Sequence, residues 1–178
     1  QLAWQRFTLA MNAGRVQLAR YLIRYMSKEQ QRYAQIYREL RRKPERVASH
    51  GLFRQSDFRG EQTVIYGMKR LARKQPKKAQ RIWEKYSHLH DFGEQNHRAV
   101  KRAIALGFAR QNESQAFKEA LHKFQLTLDT NVIEAGISMA IRQEAWQDTL
   151  NWIALLPEET RALERWSYWH ARSLYTLG

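Results

Sequence analysis

The sequence predicts an all-α fold: an α-solenoid or superhelix of stacked antiparallel helix pairs, TPR-like, with degenerate repeats. Three observations predict it. Apolar residues recur at helical spacing along nearly the whole chain, with no convincing two-residue alternation. The 178 residues contain only three Pro and eight Gly, which serves strand-and-turn architectures poorly. Residues 10–29 align without a gap to residues 140–159, so that Ala10 meets Ala140, Val16 meets Trp146, Ile23 meets Ile153 and Met26 meets Leu156. Identity between the two stretches is low, but the apolar register is kept. Repeats of this kind bury one face on each neighbour and stack into a solenoid.

About ten helices follow from the periodicity and the break signals. Leu2, Trp4, Phe7, Leu9, Ala10 and Met11 make the first, interrupted at Gly14 as at a helix C-terminus. Val16, Ala19, Leu22, Ile23 and Met26 share a face of the second. Ser27 and Gln30 fit a capping box that opens a third helix to about Arg41. Pro44 disfavours helix at Lys43 and ends it. A helix from about Asp57 to Lys74 stops near Pro76, and the next carries Ala79, Ile82, Trp83 and Tyr86 in the register of Ala19, Leu22, Ile23 and Met26. Ser87 to Asn96 reads as a loop, and His97 to Arg110 as a helix. Asn112, Glu113 and Ser114 connect it to a helix bearing Phe117, Ala120, Leu121 and Phe124. Helices from Thr130 to Gln143, Trp146 to Leu155 and Glu158 to Leu177 complete the chain, with Pro157 between the last two. Val64-Ile65-Tyr66 is too short and too embedded to be a strand. Gly67, Gly107 and Gly136 lie inside helices, where each costs about 1 kcal/mol against Ala. Close approach of a neighbouring helix explains such glycines, and a frayed or broken helix is the alternative.

Length and composition suit a globular chain with a sizeable core: 43% hydrophobic and 27% charged residues. The expected organisation is a single superhelical domain over residues 1–178. Lys and Arg number 31 against 17 Asp and Glu, for a net charge of +14 and a pI near 10.4. That field favours polyanions: nucleic acid, acidic lipid, or a cell-wall polymer bearing peptide carboxylates. The absence of Cys excludes a disulfide scaffold and a thiolate metal site. No apolar run approaches the roughly 20 residues of a spanning helix; the most apolar stretch, Ala103 to Ala109, is flanked by Arg102 and Arg110. No signal peptide is visible at Gln1, and a chain that opens on a helical pattern without Met reads as a mature or excised piece, which says nothing of export.

The candidate binding residues are two basic groups: Arg38, Arg41, Arg42, Lys43 and Arg46, and then Arg70, Arg73, Lys74, Lys77, Lys78 and Arg81, with Lys69 beside them. Arg98, Lys101 and Arg102 add a third group. Each alone reads equally as a solvated helix face. Three groups with this net charge point to a polyanion-facing surface. His88, His90, Asp91 and His97 cluster as a zinc site would, but no second cluster completes it. Trp4, Trp83, Trp146, Trp152, Trp166 and Trp169 have helical spacing and read as core anchors, with Trp166 and Trp169 on one face between helices. No nucleophile motif and no phosphate-binding glycine loop is present, so no cofactor is called for.

The C-terminal stretch is the most distinctive. Arg142 and Trp146 open it, a helix ends in Leu155-Leu156-Pro157-Glu158-Glu159, and Arg165-Trp166-x-Tyr168-Trp169-x-Ala171-Arg172 leads to Leu177-Gly178. This resembles the superhelical region of soluble lytic murein transglycosylases, in which a helix pair ending in Leu-Pro-Glu-Glu-like sequence runs into an Arg-Trp-x-Tyr-Trp-x-Ala-Arg helix and a Leu-Gly end. Arg6 to Leu22 is similar to an earlier unit of that region, while the middle of the chain matches only in helical pattern. The resemblance implies a periplasmic enzyme whose α-superhelix curls into a ring carrying a lysozyme-like catalytic domain. It implies cleavage of the MurNAc–GlcNAc bond of peptidoglycan without water, leaving a 1,6-anhydro-MurNAc end, with one Glu as acid and then base. The catalytic motif of that family is an Arg-Gln-Glu-Ser run followed by Gly-x-Met-Gln. Here Arg110-Gln111-Asn112-Glu113-Ser114 has an inserted Asn, Arg142-Gln143-Glu144-Ala145 has Ala for Ser, and neither has the later element. Both carry turn residues, so no catalytic residue is expected and the catalytic domain is expected elsewhere in a longer protein. The implied partners are peptidoglycan glycan strands and that catalytic domain. The alternative is a free-standing basic α-solenoid for nucleic acid or a protein; repeats this irregular disfavour nucleic acid, because they offer no regular base-reading code.

Overall fold

The computed structural model describes residues 2–49, 51–54, 57–89 and 91–178. The described residues form eleven α-helices and four short 3-10 turns, with no strand. The helices are α1 (Leu2–Asn12), α2 (Val16–Leu22), α3 (Lys28–Arg42), α4 (Phe58–Lys74), α5 (Pro76–Tyr86), α6 (Gly93–Arg110), α7 (Ser114–Lys123), α8 (Thr130–Arg142), α9 (Trp146–Ala154), α10 (Glu158–Arg161) and α11 (Glu164–Leu177). Four antiparallel pairs, α1/α2, α4/α5, α6/α7 and α8/α9, stack into the predicted superhelical arrangement. The stack is made by α3 on α4, α4 on α6, α6 on α8, and α9 on α11.

One turn recurs. Gly14, Asn112 and Glu144 each adopt positive φ, at 73°, 59° and 55°. In each case the next N–H reaches back to the carbonyl five residues earlier: Arg15 to Ala10 at 2.8 Å, Glu113 to Phe108 at 3.0 Å, and Ala145 to Ala140 at 3.0 Å. This geometry satisfies the orphan carbonyls at a helix end and sends the chain back antiparallel. The first and third turns are the ones that the internal alignment superposes. The second belongs to the same series.

The buried register follows the repeat. Ala19, Leu22 and Met26 of the α1/α2 unit are buried, as are Ala79 and Trp83 of α5, Thr149, Trp152 and Ile153 of α9, and Leu156 just beyond it. The core runs continuously from Trp4 to Trp166. At its N-terminal end it is aromatic: Trp4 lies edge-on to Tyr33 and Tyr37, and Tyr37 stacks on Tyr66 at 4.2 Å. Ser27 and Gln30 make the predicted capping box. The interior glycines mark close approaches. A Cβ on Gly107 would lie 2.1 Å from the carbonyl oxygen of Ala72, one on Gly136 2.5 Å from the Trp152 ring, and one on Gly67 2.9 Å from Leu40 and Val47.

Two boundaries differ from the sequence expectation. Helix α6 begins at Gly93, four residues before His97. Gly93 has φ 67° and donates to the Asp91 carboxylate at 3.0 Å, while Phe92 is buried against Trp83, so the glycine read as a loop residue instead opens the helix. The helix expected from Glu158 to Leu177 is broken at Leu163, whose ψ of 139° is extended. The break lets α11 pack on α9 and bury Trp166, a tertiary demand that no Pro or Gly announces.

Candidate polyanion-binding surface

The basic residues singled out by sequence divide between elements and roles. Arg38, Arg41 and Arg42 lie on α3, Lys43 caps its C-terminus, and Arg46 lies on the following 3-10 turn. Arg38, Arg42 and Lys43, with Gln35 and Glu39, line an open groove of about 540 Å3. Arg46 forms an ion pair with Glu39. Arg70, Arg73 and Lys74 occupy the last turns of α4, and Lys77, Lys78 and Arg81 lie on α5. Arg70 works within the fold: Nη2 donates to the Arg41 carbonyl at 3.2 Å, tying α4 to α3, and its guanidinium lies 5.7 Å from the Tyr66 ring centroid on α4 itself. Lys77 pairs with Glu113 at 2.7 Å. Arg73, Lys74, Lys78 and Arg81 are exposed and make no ion pair among the described residues. Cations in the last turns of α3 and α4 also suit the negative ends of those helices. Lys69 is exposed overall, but partial burial of its ammonium lowers its pKa.

A second groove, of about 530 Å3, lies between α6 and α8. Arg102, Arg110 and Arg142 line it, together with Asn131, Glu134 and Ser138. Its two acidic neighbours are occupied: Asp129 takes the Arg102 guanidinium at 2.8 Å, and Glu134 pairs with Arg165. The sequence places Arg102 among the basic groups but gives Arg110 and Arg142 no binding role: Arg110 flanks the most apolar stretch, Arg142 opens the C-terminal stretch, and both stand in the look-alike catalytic runs. The usable signal was the recurrence of Arg-Gln at the ends of α6 and α8. A smaller recess of about 200 Å3 between α1, α3 and α4 brings Asn12, Glu61, Lys69 and Asn96 beside the exposed Phe58 ring.

The remaining candidates fall as follows. Glu113 is held by Lys77, and Glu144 is exposed in a tight turn, so both stand in inter-helix connections. His88 is exposed, His90 lies outside the described residues, and Asp91 accepts the Gly93 N–H. His97 packs 5.2 Å from Trp83, where burial, then Lys101, lower its pKa. No three His, Asp or Glu side chains among the described residues could hold one metal ion. Trp4, Trp83, Trp152 and Trp166 are buried core anchors, while Trp146 and Trp169 are half-buried. No helix among the described residues is long and apolar enough to cross a membrane.

No protein-family model and no curated protein matches this chain. Among solved structures, it is similar to lytic transglycosylase Slt from Pseudomonas aeruginosa, an inactive mutant, with 26% identity and a TM-score of 0.67 over 97% of this chain. It is also similar to the 70-kDa soluble lytic transglycosylase in complex with bulgecin A, with 21% identity and a TM-score of 0.69 over 99% of this chain. The chain spans 28% and 29% of those two chains, less than a third of each. The recurring turns, the stacked pairs and these likenesses lead to one conclusion: over nearly its whole length, this chain is similar to a superhelical segment of the soluble lytic transglycosylases.

Proposed function

We propose that residues 1–178 form a non-catalytic superhelical scaffold of a periplasmic lytic transglycosylase, which binds and positions peptidoglycan glycan strands. A lysozyme-like domain elsewhere in the longer protein then cleaves the MurNAc–GlcNAc bond to a 1,6-anhydro end. The observation that carries this reading is the likeness to two lytic transglycosylases over 97% and 99% of the chain. The net charge of +14 supports it, because peptide carboxylates make the wall polymer anionic.

Retention on purified sacculi tests the reading. The chain is expected to bind at low ionic strength and to be released progressively as salt screens the attraction. It is also expected to release no anhydro-muropeptides, with or without Glu113→Gln or Glu144→Gln. Absence of retention at low salt overturns the scaffold role, as does a wide preference for duplex DNA in direct competition. Anhydro products from the wild-type chain, abolished by either substitution, would show that a turn had been mistaken for an active site.

A further inference from the structure

The recess between α1, α3 and α4 is unlike the two basic grooves. No arginine lines it, and it combines an exposed aromatic ring with amide and carboxylate side chains and one ammonium. Of the seven Phe, Phe58 alone is exposed, at 61%, while the other rings are buried or half-buried. It opens α4 and lines the recess. The fold gains nothing from a ring left in water. A flat apolar face beside polar groups suits a ligand that carries both kinds of surface.

The polar groups are held in place and keep spare capacity. Trp4 Nε1 donates to Gln62 Oε1 at 2.7 Å, and Asn96 Nδ2 donates to Glu61 Oε1 at 2.9 Å. These bonds orient the side chains. They leave the Gln62 amide nitrogen as a donor, and the Asn96 oxygen and the second Glu61 oxygen as acceptors. Tyr37 and Tyr66, stacked at 4.2 Å, make a rigid wall beside them. Lys69 makes no hydrogen bond or ion pair among the described residues. Burial lowers its pKa, and no carboxylate offsets that burial. Glu61 repels phosphate and accepts from hydroxyls, which separates this recess from a nucleic-acid site.

The α4 axis rises about 16 Å between Phe58 and Lys69. One sugar ring cannot touch both, whereas a short oligosaccharide lying along α4 can. The recess volume of about 200 Å3 is below the roughly 300–1,000 Å3 of pockets that enclose a whole small molecule. It therefore suits a chain that lies across it and continues past its ends.

We propose that this recess seats a short stretch of glycan strand, with a sugar ring stacked on Phe58, its hydroxyls on Glu61 and Asn96, and the carboxyl-bearing substituent of a neighbouring sugar on Lys69. The proposal rests on the function proposed above and adds where on the scaffold a strand is held, and by which groups.

The test uses the whole 178-residue chain and two oligosaccharides, titrated calorimetrically. One is chitotetraose, which is neutral; the other is a peptide-free wall tetrasaccharide with a carboxyl on alternate sugars. Wild type is expected to bind both, the acidic one about tenfold more tightly. Phe58→Ala should weaken both by about tenfold, the loss of the stacking face. Lys69→Gln should bring the acidic ligand down to the affinity of the neutral one and leave chitotetraose unchanged, the loss of one charge-assisted partner. Both side chains are exposed, so both variants should melt with wild type; a lower Tm would assign the side chain to the fold instead. Failure of wild type to bind either oligosaccharide overturns the proposal. So does unchanged affinity in Phe58→Ala, or equal weakening of both ligands in Lys69→Gln. Sacculi binding separates the two levels: a retained wild type that binds neither oligosaccharide sinks only the recess, while an unretained wild type sinks the scaffold role.

Discussion

Replacing Gly107 by Ala sets helix propensity directly against packing. In an isolated helix the change stabilises by about 1 kcal/mol. Here the new Cβ would stand 2.1 Å from the Ala72 carbonyl oxygen and 3.0 Å from Pro76 Cβ. Ordinary carbon-to-oxygen contact begins near 3.3 Å, so α6 and α4 must part by about 1 Å. The opposing atom is backbone and cannot rotate away. A gap of that size also forfeits a quarter to a half of each dispersion contact between the two helices, where Val64, Met68, Leu71, Ile104 and Phe108 are buried. Overpacking costs typically 1–3 kcal/mol, and a backbone clash belongs at the upper end. Subtracting the propensity gain leaves a net loss of about 2 kcal/mol, or roughly 4–8 °C in Tm for a chain of this size. Urea and thermal unfolding followed by far-UV circular dichroism measure it. Gly67→Ala is the internal control: its Cβ would meet Leu40 Cδ1 and Val47 Cγ2 at 2.9 Å and Val47 Cβ at 3.1 Å, side-chain rather than backbone atoms and none as close as the Ala72 oxygen, so it should cost less. A Gly107→Ala protein as stable as wild type, or one less affected than Gly67→Ala, refutes the close-approach argument.

Glu144→Gly should stabilise by about 1 kcal/mol, read as a raised urea midpoint, because Glu144 is held at φ 55°, where a side chain is strained. Arg142→Gln should lower stability by about 1–2 kcal/mol in the same assay, since it removes bonds to the Ala109 carbonyl and Asn112. Acid should destabilise the fold through its helix caps. Burial raises the Asp57 carboxyl pKa, but the Tyr33 hydroxyl and the Gly60 and Arg59 amides outweigh it and hold it below the usual range; at Asp129, Arg102 and the Val132 amide outweigh burial likewise. A lowered folded-state pKa gives stability that is present above the unfolded value, near 3.9, and lost as pH falls through the folded value. Tm should therefore drop below about pH 4, and less steeply in Asp57→Asn, whose cap no longer titrates. An identical acid limb in that variant would remove Asp57 from the account.

Helix period, the Ser27 capping box and the breaks at Gly14, Pro44, Pro76 and Pro157 were legible in the sequence, because local chemistry sets them. The alignment of residues 10–29 with 140–159 also found the correct turn, since a positive-φ residue after an apolar helix end needs the same flanking register each time. The start of α6 at Gly93 and the break at Leu163 were not legible. The first depends on Phe92 finding a buried place beside Trp83, and the second on α11 meeting α9.

The basic surface divides in the same way. Sequence by itself determined that the chain carries a large positive charge on helices, because charge is additive and needs no neighbours. Only the tertiary structure decided which cations are engaged. Arg70 braces α3, Lys77 holds Glu113 and Arg142 caps α6, while Arg73 and Arg110 are exposed and make no ion pair among the described residues. That sorting follows from how each unit ends. Asn112 accepts from the next unit through its carbonyl and amide oxygens, whereas among the described residues nothing at the Gln75-Pro76 junction accepts from Arg110, so the same Arg-Gln ending is a brace on α8 and makes no such bond on α6.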